Sequence, residues 1–140
     1  MSNLQLMVYK DIATAIFTPL EIGTVGLSEE EAIAAYGQDK LDCYASAFQP
    51  LEWSVCHKDT PCFAKILVVG KEQRIVGLHI CAPNAGEIIQ GYAVAFRKGL
   101  YHEDLMKTIG IHPTTAEEFT TMEISKYHLK EGESIEKSGC

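Results

Sequence analysis

Phe63-Ala64-Lys65-Ile66-Leu67-Val68-Val69, Gly70-Lys71-Glu72-Gln73-Arg74 and Ile75-Val76-Gly77-Leu78-His79-Ile80-Cys81 together decide the fold. Two apolar runs rich in β-branched residues flank a short polar connection that begins at a glycine. Such a pattern reads as an antiparallel hairpin. Lys65 falls on its solvent side while its neighbours alternate inward. Upstream, Leu41 to Phe48 reads as a further strand, ended by Gln49-Pro50. Thr14-Ala15-Ile16-Phe17-Thr18 reads as another, stopped by Pro19, with a short extended piece around Gly23-Thr24-Val25-Gly26.

Helical signals surround these strands. Ser28-Glu29-Glu30-Glu31 is a capping box, in which the Ser28 hydroxyl takes a first-turn N–H and Glu31 reaches back. Its three carboxylates suit the positive end of a helix that should close at Tyr36-Gly37. Asn84-Ala85-Gly86-Glu87 opens the longest predicted helix. Ile88, Ile89, Tyr92, Ala93 and Phe96 recur there at helical spacing, and Gly99 ends it after Arg97 and Lys98. A shorter helix is expected over Glu103–Thr108 and another after Pro113. Strands followed by helices give an α+β domain, an antiparallel sheet with helices packed on one face. Residues 1–12 read as a lead-in, 13–129 as the domain, and 130–140 as a polar, mobile tail.

Composition narrows the chemistry. At 140 residues the chain is long enough for one real core. Its formal net charge of −7 argues against a nucleic-acid partner. No apolar run approaches the roughly 20 residues of a membrane span. The five cysteines, Cys43, Cys56, Cys62, Cys81 and Cys140, contain no Cys-x-x-Cys. No metal site is expected from them. They read as reduced thiols of a cytoplasmic protein, or of one in an organelle matrix such as the mitochondrial.

Ile111-His112-Pro113-Thr114-Thr115-Ala116-Glu117-Glu118 carries the candidate chemistry. As plain structure, Thr114 to Glu117 is a second capping box and His112 a loop residue before it. The sharper reading gives His112 a job. Free imidazole titrates at about 6.5, so it can give and take protons at cellular pH. A carboxylate on the far ring nitrogen, within reach from Glu117, would fix its tautomer. A His-Pro bond is also more apt than most to be cis.

The same residues resemble the His-Pro-Thr-x-x-Glu signature of glutathione reductase and thioredoxin reductase. Other segments agree in order. Phe17-Thr18-Pro19-Leu20-Glu21 with Gly26-Leu27-Ser28-Glu29 resembles the opening of that family's dimerisation domain. Val76-Gly77-Leu78-His79 and Pro83-Asn84-Ala85-Gly86-Glu87-Ile88-Ile89-Gln90-Gly91 resemble its hairpin and long helix. Phe48-Gln49-Pro50-Leu51-Glu52-Trp53 is similar to the thioredoxin reductase branch.

The resemblance implies a homodimer built through this domain. It implies that His112 is the acid/base in the partner subunit's active site and that Glu117 orients it. His112 and Pro113 would lie near that subunit's flavin. FAD and NADPH would serve the whole enzyme, and thioredoxin, with oxidised glutathione as a second candidate, would be the substrate. The ending Lys137-Ser138-Gly139-Cys140 resembles the Gly-Cys-selenocysteine-Gly tail of large thioredoxin reductases and of thioredoxin glutathione reductases. On that reading Cys140 is half of a second redox pair, and the sequence stops before a selenocysteine.

The chain departs from the family in lacking a Gly-x-Gly-x-x-Gly loop, a nicotinamide fingerprint and the flavin-side cysteine pair. It is therefore expected to bind no cofactor alone and to be inactive as a fragment. Two alternatives stay open: a free-standing dimerising module without catalysis, and the same domain of a glutathione-reductase-like enzyme.

Overall fold

The computed structural model describes residues 7–56, 59–129 and 134–135. Five strands form one antiparallel sheet: β1 (Thr14–Ile16), β2 (Ile22–Gly26), β3 (Leu41–Phe48), β4 (Cys62–Val69) and β5 (Arg74–Cys81). Their spatial order is β1-β2-β5-β4-β3. The predicted hairpin is its centre, with Ile66 opposite Leu78 and Ala64 opposite Ile80. These side chains, with Val25 and Cys62, belong to the main core.

Helix α1 spans Glu29–Tyr36, the short α2 Leu51–Val55, α3 Ala85–Lys98 and α4 His102–Met106. Both bonds of the Ser28 capping box form: Glu31 N–H donates to Ser28 Oγ at 3.2 Å, and Ser28 N–H to Glu31 Oε2 at 2.8 Å. Helix α3 lies across β1, β2 and β5. Gly23 permits that approach, since a Cβ there would sit 2.5 Å from the Ala85 carbonyl oxygen. Of the predicted α3 stripe, Ile89 and Ala93 are buried, while Ile88, Tyr92 and Phe96 pack half-buried against the same core. That apolar face is spent on the sheet.

The α+β class and the antiparallel sheet match the sequence reading, but the helices do not keep to one face. Leu41, Cys43 and Leu67, which alternate with the main core, form a second buried cluster with Val76 and with Ala32 of α1. Consecutive residues of a strand point to opposite faces. The unbroken burial of Ile66, Leu67 and Val68 therefore reports a sheet covered on both sides. Several elements differ in detail. Helix α2 follows Pro50 where only a strand end was expected. Asn84 adopts a left-handed conformation and makes no side-chain cap bond. The segment after Pro113 is a 3₁₀ helix over Thr115–Thr120, and a further 3₁₀ turn spans Lys126–His128.

Lys65 is half-buried rather than simply facing solvent. It pairs with Glu29 at 3.3 Å. Glu29 also takes Lys126 at 2.6 Å and the Tyr127 hydroxyl, so one carboxylate joins α1, β4 and the Lys126–His128 turn. Burial alone would raise its pKa, but Lys126, Tyr127 and Lys65 outweigh it and hold the carboxyl at about 2, down from 4.5. A depressed folded-state value stabilises fully above about 4.5 and loses its effect as pH falls toward about 2. Glu29→Gln should therefore cost on the order of 1 kcal/mol at pH 7. In urea unfolding, the gap between variant and parent should close as the pH is lowered through that window. A gap constant down to pH 2 would show that the network is unimportant to stability.

Candidate active site

The 3₁₀ helix Thr115–Thr120 is capped as its spacing predicts. Glu117 N–H donates to Thr114 Oγ1 at 3.3 Å, and Thr114 N–H to Glu117 Oε1 at 3.3 Å. The same Oε1 accepts from His112 Nδ1 at 2.9 Å. A carboxylate only accepts, so Nδ1 carries the hydrogen and Nε2 of a neutral ring keeps its lone pair. The His112 side chain is 60% exposed and Glu117 only 16%. The orienting group is thus sheltered and the ring is presented outward. The His112–Pro113 peptide is cis.

Three contacts fix this turn to the fold. Phe119 is fully buried and meets the Tyr92 ring edge-on, with centroids 5.0 Å apart. The Tyr92 hydroxyl donates to the Ala116 carbonyl at 3.1 Å. Burial raises the Tyr92 pKa, which keeps that donor protonated. On the sheet side, Ser46 Oγ donates to Glu118 Oε2 at 3.1 Å. None of these three contacts was read from the sequence. The available signal was chemical: a half-buried tyrosine hydroxyl needs a partner.

Beside the pair runs a cleft of about 380 Å³. Phe48 to Glu52, Asn84, Ile88 and His112 to Glu118 line it. It joins the His112 motif to the Gln49-Pro50-Leu51-Glu52 segment, 60 residues away in sequence by the numbering of Glu52 and His112.

Residues 12–123 match the family model described as pyridine nucleotide-disulphide oxidoreductase, dimerisation domain. The chain belongs to this family. It is also similar to thioredoxin reductase SEP1 of Emiliania huxleyi, at 50% identity over 137 residues, which cover 96% of this chain and 27% of that protein. The chain spans about a quarter of the length of this curated relative.

In this dimerisation domain the loop before His112 is apolar and open. Ile109 is 95% exposed and Ile111 78%. On α3, Val94 is exposed while Tyr92 and Phe96 are half-buried. The four described cysteines, Cys43, Cys56, Cys62 and Cys81, are free thiols. Burial pushes the Cys43 thiol up to about 11 and raises Cys81, so neither is activated as a thiolate. Cys140 and the predicted redox tail lie outside the described residues, apart from Ser134 and Ile135. Among the described residues no group of three or more His, Cys, Asp or Glu side chains gathers to hold a metal, and no helix is long and apolar enough to cross a membrane.

Proposed function

We propose that this chain is the interface domain of a homodimeric, NADPH- and FAD-dependent disulfide reductase that acts on thioredoxin, in which His112 and Glu117 form an acid/base pair serving the partner subunit's active site. The observation that carries this reading is the 2.9 Å bond from an exposed imidazole to a sheltered carboxylate. Similarity to a protein called a thioredoxin reductase supports the substrate class. Oxidised glutathione is a second candidate substrate.

Breaking a disulfide needs two electrons and two protons. A bound flavin supplies the electrons from NADPH. This chain supplies proton handling. A protonated His112 would give its Nε2 proton to the departing thiolate and regain one from an incoming thiol, so the ring shuttles protons between sulfurs, while the hydrogens consumed overall come from the NADPH hydride and one solvent proton. Glu117 holds Nδ1–H throughout, which fixes the ring's tautomer and stabilises the imidazolium. The open Ile109–Pro113 loop fits a role against another subunit, where His112 and Pro113 would lie beside the flavin. This chain brings no dinucleotide-binding loop of its own, so the flavin site belongs to sequence outside it.

Cys140 is proposed as half of a second redox pair with a selenocysteine, a reading supported by the resemblance of Gly139-Cys140 to the tail of large thioredoxin reductases. A selenol ionises more readily than a thiol and so attacks disulfides well near neutral pH. Residence in the cytoplasm, with the mitochondrion as alternative, suits such thiols.

The Thr114 cap is complete without any reaction, which favours a second reading: a dimerising module without catalysis. Complementation separates the two. The 140-residue chain is mixed with a reductase deprived of its interface domain, and NADPH-dependent thioredoxin reduction is followed. The chain alone should show no turnover, and the mixture should. A stable homodimer of the chain that restores nothing would support the module.

A further inference from the structure

Gly110 stands two residues before His112 and outside every regular element. It is not among the glycines with positive φ, so no backbone conformation demands glycine there. Space demands it. A Cβ at Gly110 would fall 2.6 Å from Glu117 Cβ, 2.9 Å from Thr120 Oγ1 and 3.3 Å from Glu117 Oε2. The nearest of these is not the free end of a flexible side chain. Glu117 Cβ is fixed by the 3₁₀ backbone, which is held by Thr114 Oγ1, by Thr120 Oγ1 donating to the Glu117 carbonyl at 2.8 Å, by the Tyr92 hydroxyl at Ala116 and by buried Phe119. The loop carrying His112 is the more open side of this contact, with Ile109 and Ile111 exposed on either side of Gly110.

We infer that Gly110 is a positioning residue for the His112–Glu117 pair, its missing side chain being the space into which the Glu117 arm folds to reach Nδ1. The inference rests on the proposed role of that pair. A methyl at Gly110 must restore ordinary contact of at least 3.4 Å where 2.6 Å is offered, a shift of 3.4 − 2.6 = 0.8 Å. The turn cannot retreat into its own core, so the loop moves outward. His112, two residues on, is carried with the loop, which pulls its ring away from Glu117 and strains the 2.9 Å bond.

The test reads the ring rather than turnover. In the 140-residue chain labelled with ¹⁵N-histidine, long-range proton–nitrogen spectra report which nitrogen of neutral His112 holds the hydrogen; His112→Gln assigns the signal. The parent should show the Nδ1–H form. Gly110→Ala should pass to the mixture seen for a free histidine, in which Nε2–H dominates. Gly91→Ala is the control, because a Cβ there meets nothing within 4 Å. It should keep the parent tautomer. An unchanged tautomer in Gly110→Ala would overturn the inference. So would loss of the folded spectrum, which would make Gly110 a requirement for folding. Should the tautomer shift as expected while His112→Gln leaves the assembled reductase fully active, positioning stands and the catalytic reading falls.

Discussion

On the proposed function, exchanging His112 for glutamine should slow NADPH-dependent thioredoxin reduction by an enzyme assembled with this chain roughly 10²–10⁴-fold, the usual worth of a positioned acid/base group. Glutamine is close in size and can still donate a hydrogen bond toward Glu117, but it exchanges no proton near neutral pH. The ring is 60% exposed and its hydrogen bond is to Glu117, so the fold has little to lose. The melting midpoint should move by no more than a surface substitution's effect, within about 0.5 kcal/mol. Turnover and thermal melting measured on one preparation separate the two effects. Parent-like turnover in a folded dimer would remove His112 from the chemistry.

Truncating Phe119 to alanine should cost about 3–5 kcal/mol of stability, read from the urea midpoint. Phe119 is fully buried, touches the Tyr92 ring and belongs to the core that Ile66, Leu78 and Ile89 share. Such a loss is a large part of the 5–15 kcal/mol that holds a typical domain together. The same side chain anchors the turn that bears Glu117. On the proposed function, whatever enzyme stays folded should therefore lose turnover as well, at 25 °C and without added denaturant. A cost below about 1 kcal/mol would mean that the turn is held by its capping bonds alone and not by the core.

The strands and long helix were legible because their information is periodic. Leu41–Phe48 is a strand to the residue, and the hairpin from Phe63 to Cys81 needed only alternation and a glycine turn. Both capping boxes were legible because Ser28 and Thr114 stand three residues before a glutamate, and a cap is a purely local device. Longer-range facts were hidden. Nothing near Ala32 says that α1 crosses to the second face, since Leu41, Leu67 and Val76 supply that information from elsewhere. Glu29 reads as one of three carboxylates at a helix start, and only the fold sets it apart by bringing Lys65, Lys126 and Tyr127 to it. Helix α2 is five residues long, too short for a period to show. At the candidate site, His112 and Glu117 were legible from spacing, whereas Gly110 was not. A glycine that serves by leaving room has no partner in its own sequence neighbourhood, and its use appears only with Glu117 Cβ in place.

The Glu29 carboxylate also sets an order of events during synthesis. Tyr127, one of its partners, lies 98 residues further along. The Ser125 bridge to Tyr44 on β3 and the Glu118 partner of Ser46 are likewise made late. A ribosome delivering this chain releases α1 and most of the sheet long before it releases what ties them down. Until residues 115–128 emerge, Glu29 lacks Lys126 and Tyr127, and the core lacks Phe119 and Met122. The nascent domain is therefore a vectorial assembly that is completed from its C-terminal side, and the turn bearing Glu117 is part of the last piece fitted.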